Sequence, residues 1–98
     1  MDTKKAAKIF KALSNPNRLE LYFKIAEMHD SNFQTESECF VTDIISSLNI
    51  GAPTISHHIK ELVNADLIHT EKKGKFLICR VNEDLIEEVR TLLSIQHK

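Results

Sequence analysis

The sequence predicts a mainly α-helical domain with one small β-hairpin, in the order α-α-α-α-β-β-α. Three observations support this fold class. Apolar residues recur at helical spacing over most of the 98 residues. A basic, glycine-containing stretch at residues 72–74 separates two short strand-like runs. The chain also contains only two glycines and two prolines, so little interrupts its helices.

The first two predicted helices lie on either side of a capping sequence. Residues 3–13 place apolar side chains on one side and lysines on the other. Ser14 or Asn15 can cap the next helix, and Pro16 fits its first turn. We expect this second helix to end near Met28, because the polar residues that follow, up to Glu38, show no helical period.

A helix-turn-helix is predicted over residues 43–64. Residues 43–48 form a short apolar helix after the cap Thr42, and a tight turn containing Gly51 leads to an amphipathic helix that begins near Pro53. Its apolar stripe consists of Ile55, Ile59, Leu62 and Val63. Its polar face consists of Thr54, Ser56, His57, Lys60 and Asn64. In this motif the second helix enters the DNA major groove, where such side chains contact bases and phosphates.

A hairpin and a last helix complete the chain. Residues 67–71 and 75–81 are predicted strands around a basic tip, and Asn82 caps a helix over about 83–96. The basic side chains Lys72, Lys73 and Lys75 are expected to contact the DNA backbone beside the recognition helix. Residues 1–98 are therefore interpreted as one winged helix-turn-helix domain.

Composition excludes several other classes. The net charge of −1 argues against indiscriminate binding of polyanions, although residues 1–24 carry six basic side chains against two acidic ones. No run of residues is apolar enough to span a membrane, and the start lacks the apolar core of a signal peptide, so we expect a cytoplasmic protein. No nucleophile–base set, phosphate loop or complete metal site is present, so we expect neither an enzyme nor a cofactor.

Three motifs resemble those of the ArsR/SmtB family of winged-helix repressors. Residues 13–19, LSNPNRL, resemble the signature Leu-x-x-Pro-x-Arg-Leu. Residues 56–62, SHHIKEL, resemble the recognition-helix motif Ser-x-His-Leu-x-x-Leu, and residues 74–81 are similar to the wing. The resemblance implies a homodimer that binds double-stranded operator DNA and dissociates from it when an unidentified inducer is sensed.

In such a dimer the terminal helices, residues 3–13 and about 83–96, form the interface. The resemblance places these residues there: Ile9, Phe10, Leu85, Val89, Leu92 and Leu93. The family's metal-site motif, Glu-Leu-Cys-Val-Cys-Asp-Leu, corresponds here to residues 38–44, where Phe40 and Thr42 occupy the ligand positions. The family's second metal-binding pattern, which lies on the last helix, is also missing from this sequence. We therefore predict no metal site.

Two residues carry competing interpretations. Arg18 either pairs with a carboxylate such as Glu20 or Glu61, or approaches a DNA phosphate, as the resemblance suggests. His58 corresponds to the family's recurrent histidine and has either a structural role or a place next to the DNA. Both are kept in the predicted DNA-binding set.

The two cysteines, Cys39 and Cys79, also allow two interpretations. The strand-like segment at residues 40–41 is expected to pair with the wing, which would bring the two thiols onto neighbouring strands. Oxidation or persulfidation could then release the DNA. Alternatively, both are small buried residues in a reducing compartment.

A second class of function remains open. A winged-helix adaptor would bind protein partners through its hairpin or through the acidic loop predicted between Met28 and Glu38, and would not bind DNA. The polar face of residues 54–64 argues against this alternative, since an adaptor is expected to expose an apolar patch there.

Overall fold

One long helix, residues 16–35, packs against two other helices and against the hairpin. The computed structural model describes residues 1–35, 51–74 and 76–94. The elements are α1 (Thr3–Leu13), α2 (Pro16–Thr35), α3 (Ala52–Asn64), β1 (Ile68–Lys73), β2 (Phe76–Val81) and α4 (Glu83–Leu93). Helix α2 contacts α1, α3 and β2. The described elements confirm the predicted helices and hairpin, while the short helix at 43–48 and the strand-like segment at 40–41 lie outside the described residues.

Side chains cap both of the first two helices. The Asp2 carboxylate accepts a hydrogen bond from the Lys5 backbone N–H at 2.7 Å at the start of α1. The Asn15 side chain accepts from the N–H groups of Asn17 and Arg18, at 3.0 and 3.1 Å. Asn15 is thus the cap of α2, and it satisfies donors that a helix start leaves without partners.

Helix α2 is longer than the sequence pattern predicts. The expected end near Met28 is wrong, because the helix continues to Thr35. Residues 29–35 contain neither glycine nor proline. Once a helix is nucleated, each added residue gains a backbone hydrogen bond without needing an apolar stripe, so loss of the hydrophobic period does not by itself end a helix.

The core is formed by the inner faces of the helices and of the hairpin. The buried cluster contains Ile9, Ala12, Leu21, Tyr22, Ile25, Ile55, Ile59, Leu62, Ala65, Leu67, Ile68, Cys79 and Leu85. Each large apolar side chain buried in this way contributes about 1.5–3 kcal/mol relative to exposure. The apolar stripe of α3 packs into this cluster, so the opposite face of α3 points away from the core.

The end of α3 is closed by backbone hydrogen bonds. The Asp66 N–H donates to the Val63 carbonyl at 2.9 Å, and the Leu67 N–H donates to the Leu62 carbonyl at 3.0 Å. Asp66 adopts a φ of 61°, the left-handed conformation that this type of helix end requires. Leu62 and Leu67 are both fully buried, which supplies the apolar contact that accompanies the motif.

The hairpin is antiparallel and its register is regular. Ile68 pairs with Val81, and the ladder continues to Lys73 opposite Phe76. Gly74, at the tip, has a φ of 62°, which favours glycine at this turn position. The predicted strand boundaries need one correction, because Lys72 and Lys73 lie within β1 instead of forming the tip.

Helix α4 begins as predicted but buries little of its surface. The Asn82 side chain accepts a hydrogen bond from the Leu85 N–H at 3.3 Å, so Asn82 is its cap. Leu85 is its buried residue, while Leu92 and Leu93 are exposed. The helix ends at Leu93, and residues 95–98, which the predicted helix partly included, lie outside the described residues.

Candidate nucleic-acid interface

The outward face of α3 carries the predicted base-contacting residues. Thr54, Ser56, His57, Lys60 and Asn64 are all exposed. The spacing of three or four residues keeps most of them on neighbouring turns of one side. Gly51 occupies the cap position and has no side chain to cap the helix, and Pro53 lies in the first turn. Neither Thr54 nor Ser56 is the cap, so both hydroxyls are available to a ligand on this face.

The wing presents basic side chains on both of its faces. Lys72 and Lys73 are exposed, and as consecutive strand residues they point to opposite faces of the hairpin. The register places Arg80 opposite His69, on the face that also carries Lys73. Arg80 was not among the predicted DNA-binding residues, although strand alternation and its exposure identify it as a further basic group there. Lys75 lies outside the described residues.

The structure places buried His58 and half-buried Arg18 between the helices instead of on the outward face. The Arg18 Nε donates to His58 Nδ1 at 3.4 Å, and its Nη1 donates to the Ala12 backbone carbonyl at 3.2 Å. The residue His58 is only 5% exposed. Of the competing interpretations, the interior position favours a structural role for His58. The hydrogen bonds that Arg18 makes in the structure go to His58 and Ala12 and not to the expected partners Glu20 and Glu61.

The environment of His58 disfavours its charged form. Burial lowers the pKa of the His58 imidazole below its usual range, and the positive charge of Arg18 and the neighbouring His57 lower it further. The ring centroids of the two histidines are 6.0 Å apart. His57, which is exposed, is therefore the histidine of this pair that a ligand can reach.

The predicted dimer residues divide into two groups. Ile9 and Leu85 are 1% and 3% exposed within one protomer, so their assignment to the dimer interface is wrong: they belong to the protomer's own core. Phe10, Leu92 and Leu93 are 42%, 45% and 62% exposed, and Val89 is half-buried. These four residues therefore retain apolar surface that a partner could cover.

The described residues contain neither the complete thiol pair nor a cluster of metal-binding side chains. Cys79 is buried opposite Thr70 in the hairpin, and Cys39 lies outside the described residues, so their predicted proximity stays a prediction. Within residues 1–35, 51–74 and 76–94 no group of three His, Cys, Asp or Glu side chains could hold a metal ion. Over the same part of the chain, no helix has the length and apolar character needed to cross a membrane.

Comparison with known proteins gives consistent results. A model of the bacterial regulatory proteins of the arsR family matches residues 33–70. An uncharacterised HTH-type transcriptional regulator of Methanocaldococcus jannaschii is 35% identical, over 91% of this chain and 91% of that protein. The arsenical resistance operon repressor of Staphylococcus xylosus is 28% identical, over 97% of this chain and 83% of that repressor.

A solved structure confirms the winged helix-turn-helix fold. It is the homodimeric winged helix-turn-helix DNA-binding domain of a possible ArsR-family regulator from Mycobacterium bovis. The two chains superpose with a TM-score of 0.66 at 22% identity, over 97% of this chain and 88% of that chain.

Proposed function

Because the chain belongs to the ArsR family, and is therefore a DNA-binding transcriptional regulator and not an enzyme, we propose that it acts as a homodimeric repressor. In this proposal the dimer binds double-stranded operator DNA through α3 and the wing and leaves the DNA when an inducing signal is sensed. We further assign it to the cytoplasm, where an operator is accessible.

The exposed polar face of α3 is the observation that carries this proposal. Ser56, His57 and Lys60 project from a helix whose other side is locked into the core. A hydroxyl, an imidazole and an amine can donate to acceptors on base edges and phosphates in the major groove. Ile55 and Leu62 on the other side of α3 are fully buried and hold the helix against the core. The hydroxyl, imidazole and amine are therefore presented in a fixed arrangement.

The wing supports the same assignment. Lys73 and Arg80 lie on one face of the hairpin and Lys72 on the other. Phosphate contacts are local, so a protein of net charge −1 can still bind DNA through such a basic element. We expect these side chains to contribute affinity without sequence preference, and α3 to contribute the sequence preference.

Exposed apolar residues on the terminal helices support the homodimer. Phe10 on α1 and Leu92 and Leu93 on α4 expose surface that water solvates poorly, and burying it against a second copy is favourable at about 25 cal/mol per Å². A two-fold symmetric dimer presents two copies of α3. We therefore expect an operator with two inverted half-sites, spaced by about one turn of the double helix or a multiple of it.

A fluorescence-anisotropy titration tests the proposal. The protein is titrated onto labelled duplex from the region upstream of its own gene and onto a random duplex, at several salt concentrations. We expect tight binding to the upstream duplex, weaker binding to the random one, and a steep salt dependence of both. Absence of binding to either duplex would refute the proposal and favour the protein-binding adaptor.

The same titration tests which inducing signal releases the protein from its operator. It is repeated with reductant, with a disulfide or persulfide donor, and with zinc. Loss of operator binding under the thiol treatment alone would assign sensing to Cys39 and Cys79. The burial of Cys79 in the hairpin opposes direct attack on this thiol. Unchanged operator affinity under the thiol treatment would exclude the thiol sensor.

A further inference from the structure

Arg18 joins three helices at a single point. Its guanidinium belongs to α2, donates to the His58 imidazole of α3, and also donates to the Ala12 carbonyl near the end of α1. Arg18 and His58 are 40 positions apart in the sequence. The position of the recognition helix relative to α1 and α2 is therefore set in part by one hydrogen-bonded side-chain pair.

This pair requires a particular protonation state of His58. The Nδ1 atom accepts the hydrogen bond from Arg18 Nε, so it carries no proton, and the proton of the neutral ring lies on Nε2. The Nε2 atom is buried and has no hydrogen-bond partner among the described residues. A second proton would have to bind Nδ1, where it would face the Arg18 N–H and place two positive charges side by side.

We propose that neutral His58 holds α3 in its DNA-binding orientation through Arg18, and that protonation of His58 breaks this contact and weakens recognition of the operator. His58 is thus a positioning residue that acts through Arg18 on the base-contacting face of α3. This inference rests on the proposed function, since it concerns the same recognition helix.

The charges around His58 set the direction of the pH effect. From α2 it faces the Arg18 guanidinium, whose Nη1 is in turn held by the neutral Ala12 carbonyl of α1. On α3 it adjoins His57 and precedes the half-buried Glu61 by one turn. The pKa of His58 is lowered from its usual value of about 6.5, chiefly by burial. The contact is therefore intact above pH 6.5 and is lost as the pH falls through the lower pKa of the folded protein.

His57 is a second histidine on α3 and takes no part in the Arg18 contact. It is exposed on the outward face of α3. The attraction of a protein charge to phosphates does not depend on sequence. The ratio of operator affinity to random-duplex affinity therefore reports the positioning of α3 more directly than either affinity alone.

The decisive experiment measures this affinity ratio at constant ionic strength from pH 7.5 down to the lowest pH at which the protein is still folded. For the unmodified protein we expect the ratio to fall by about tenfold, as for loss of a hydrogen bond to a charged group. His58→Asn retains an acceptor near the position of Nδ1 but does not titrate, so its ratio should stay constant. His58→Leu fills similar space without an acceptor, and its ratio should be low at every pH.

His69→Gln is the matched control, because it removes an exposed histidine of β1 that has no part in the contact. This variant should retain the fall in the affinity ratio. Circular dichroism at each pH checks that the proteins are folded. A constant ratio in the unmodified protein, or an equal fall in His58→Asn, would overturn the proposal.

A measurement without DNA or variants keeps the inference testable by itself. Two-dimensional NMR that correlates ring protons with ring nitrogens identifies the neutral tautomer of His58. We expect the proton on Nε2, and a proton on Nδ1 would contradict the Arg18 contact. If the protein binds no DNA at neutral pH, the proposed function fails, whereas the tautomer still decides whether the Arg18–His58 contact exists.

Discussion

The side chain of Asn82 and the backbone of Asp66 are joined by a hydrogen bond in which Asn82 Nδ2 donates to the Asp66 carbonyl at 2.8 Å. The Oδ1 atom of the same amide accepts from the Leu85 N–H and caps α4. The Asn82 N–H also donates to the Leu67 carbonyl at 3.0 Å. One residue thus connects the end of α3 to the start of α4 across the base of the hairpin.

Replacing Asn82 should therefore affect stability through two contacts. We expect Asn82→Ala to lower the free energy of unfolding by about 1–2 kcal/mol, because it removes a helix cap and a tertiary hydrogen bond. Asn82→Asp keeps the capping acceptor and loses the donor, so its loss should be smaller. Urea denaturation measures both, and equal stability of Asn82→Ala and the unmodified protein would contradict this role.

Asp66 offers the opposite case, a position at which a substitution should stabilise the protein. Its φ of 61° is costly for a residue with a side chain and costs glycine little. We expect Asp66→Gly to raise the free energy of unfolding by about 0.5–1 kcal/mol. The converse change at the hairpin tip, Gly74→Ala, should lower it by a similar amount, because Gly74 has a φ of 62°. In thermal or urea denaturation, the unfolding midpoint should rise for Asp66→Gly and fall for Gly74→Ala.

The outward position of His57 leads to a prediction about specificity. If its imidazole contacts a base, His57→Ala should weaken operator binding by about 1–3 kcal/mol and random-duplex binding by much less. Ser56→Ala should behave in the same way, since Ser56 is exposed on the same helix. Anisotropy titrations on the two duplexes give the comparison, and equal losses on both would refute base contact.

The wing should contribute affinity without specificity. Lys73→Ala is expected to weaken binding to both duplexes alike and to reduce the slope of log affinity against log salt by about 0.9, as for loss of one phosphate contact. Lys24→Ala, on α2, changes the net charge equally and serves as the control with an unchanged slope. A salt slope that Lys73→Ala leaves unaltered would exclude Lys73 from the interface.

The proposed dimer can be tested at its exposed apolar face. Leu92→Glu places a charge where we propose that a partner covers Leu92, so light scattering after gel filtration should report a monomer, and tight operator binding should be lost. Thr91→Glu introduces the same charge at the neighbouring exposed position and should leave the dimer intact. A dimeric Leu92→Glu protein would show that the interface lies elsewhere.

Much of the fold follows from local patterns in the sequence. The start of α1, the caps of α2 and α4 and the hairpin turn depend on residues within four positions of one another, and short-range sterics and hydrogen bonds decide such features. The same holds for α3, whose exposed and buried faces follow its periodicity. The extension of α2 to Thr35 was not predictable in this way, because a polar stretch permits both a helix and a loop.

What the sequence alone determined is therefore the order of the described elements, the winged helix-turn-helix class and the identity of the outward face of α3. Only the tertiary structure decided how the apolar surface is used: Ile9 and Leu85 are enclosed within the protomer, whereas Phe10 and Leu92 remain outside. It also decided the partners of Arg18 and Asn82, which lie 40 and 16 positions away. Spacing along the chain specifies which side of a helix is apolar, but burial and distant hydrogen bonds depend on how the helices pack in three dimensions.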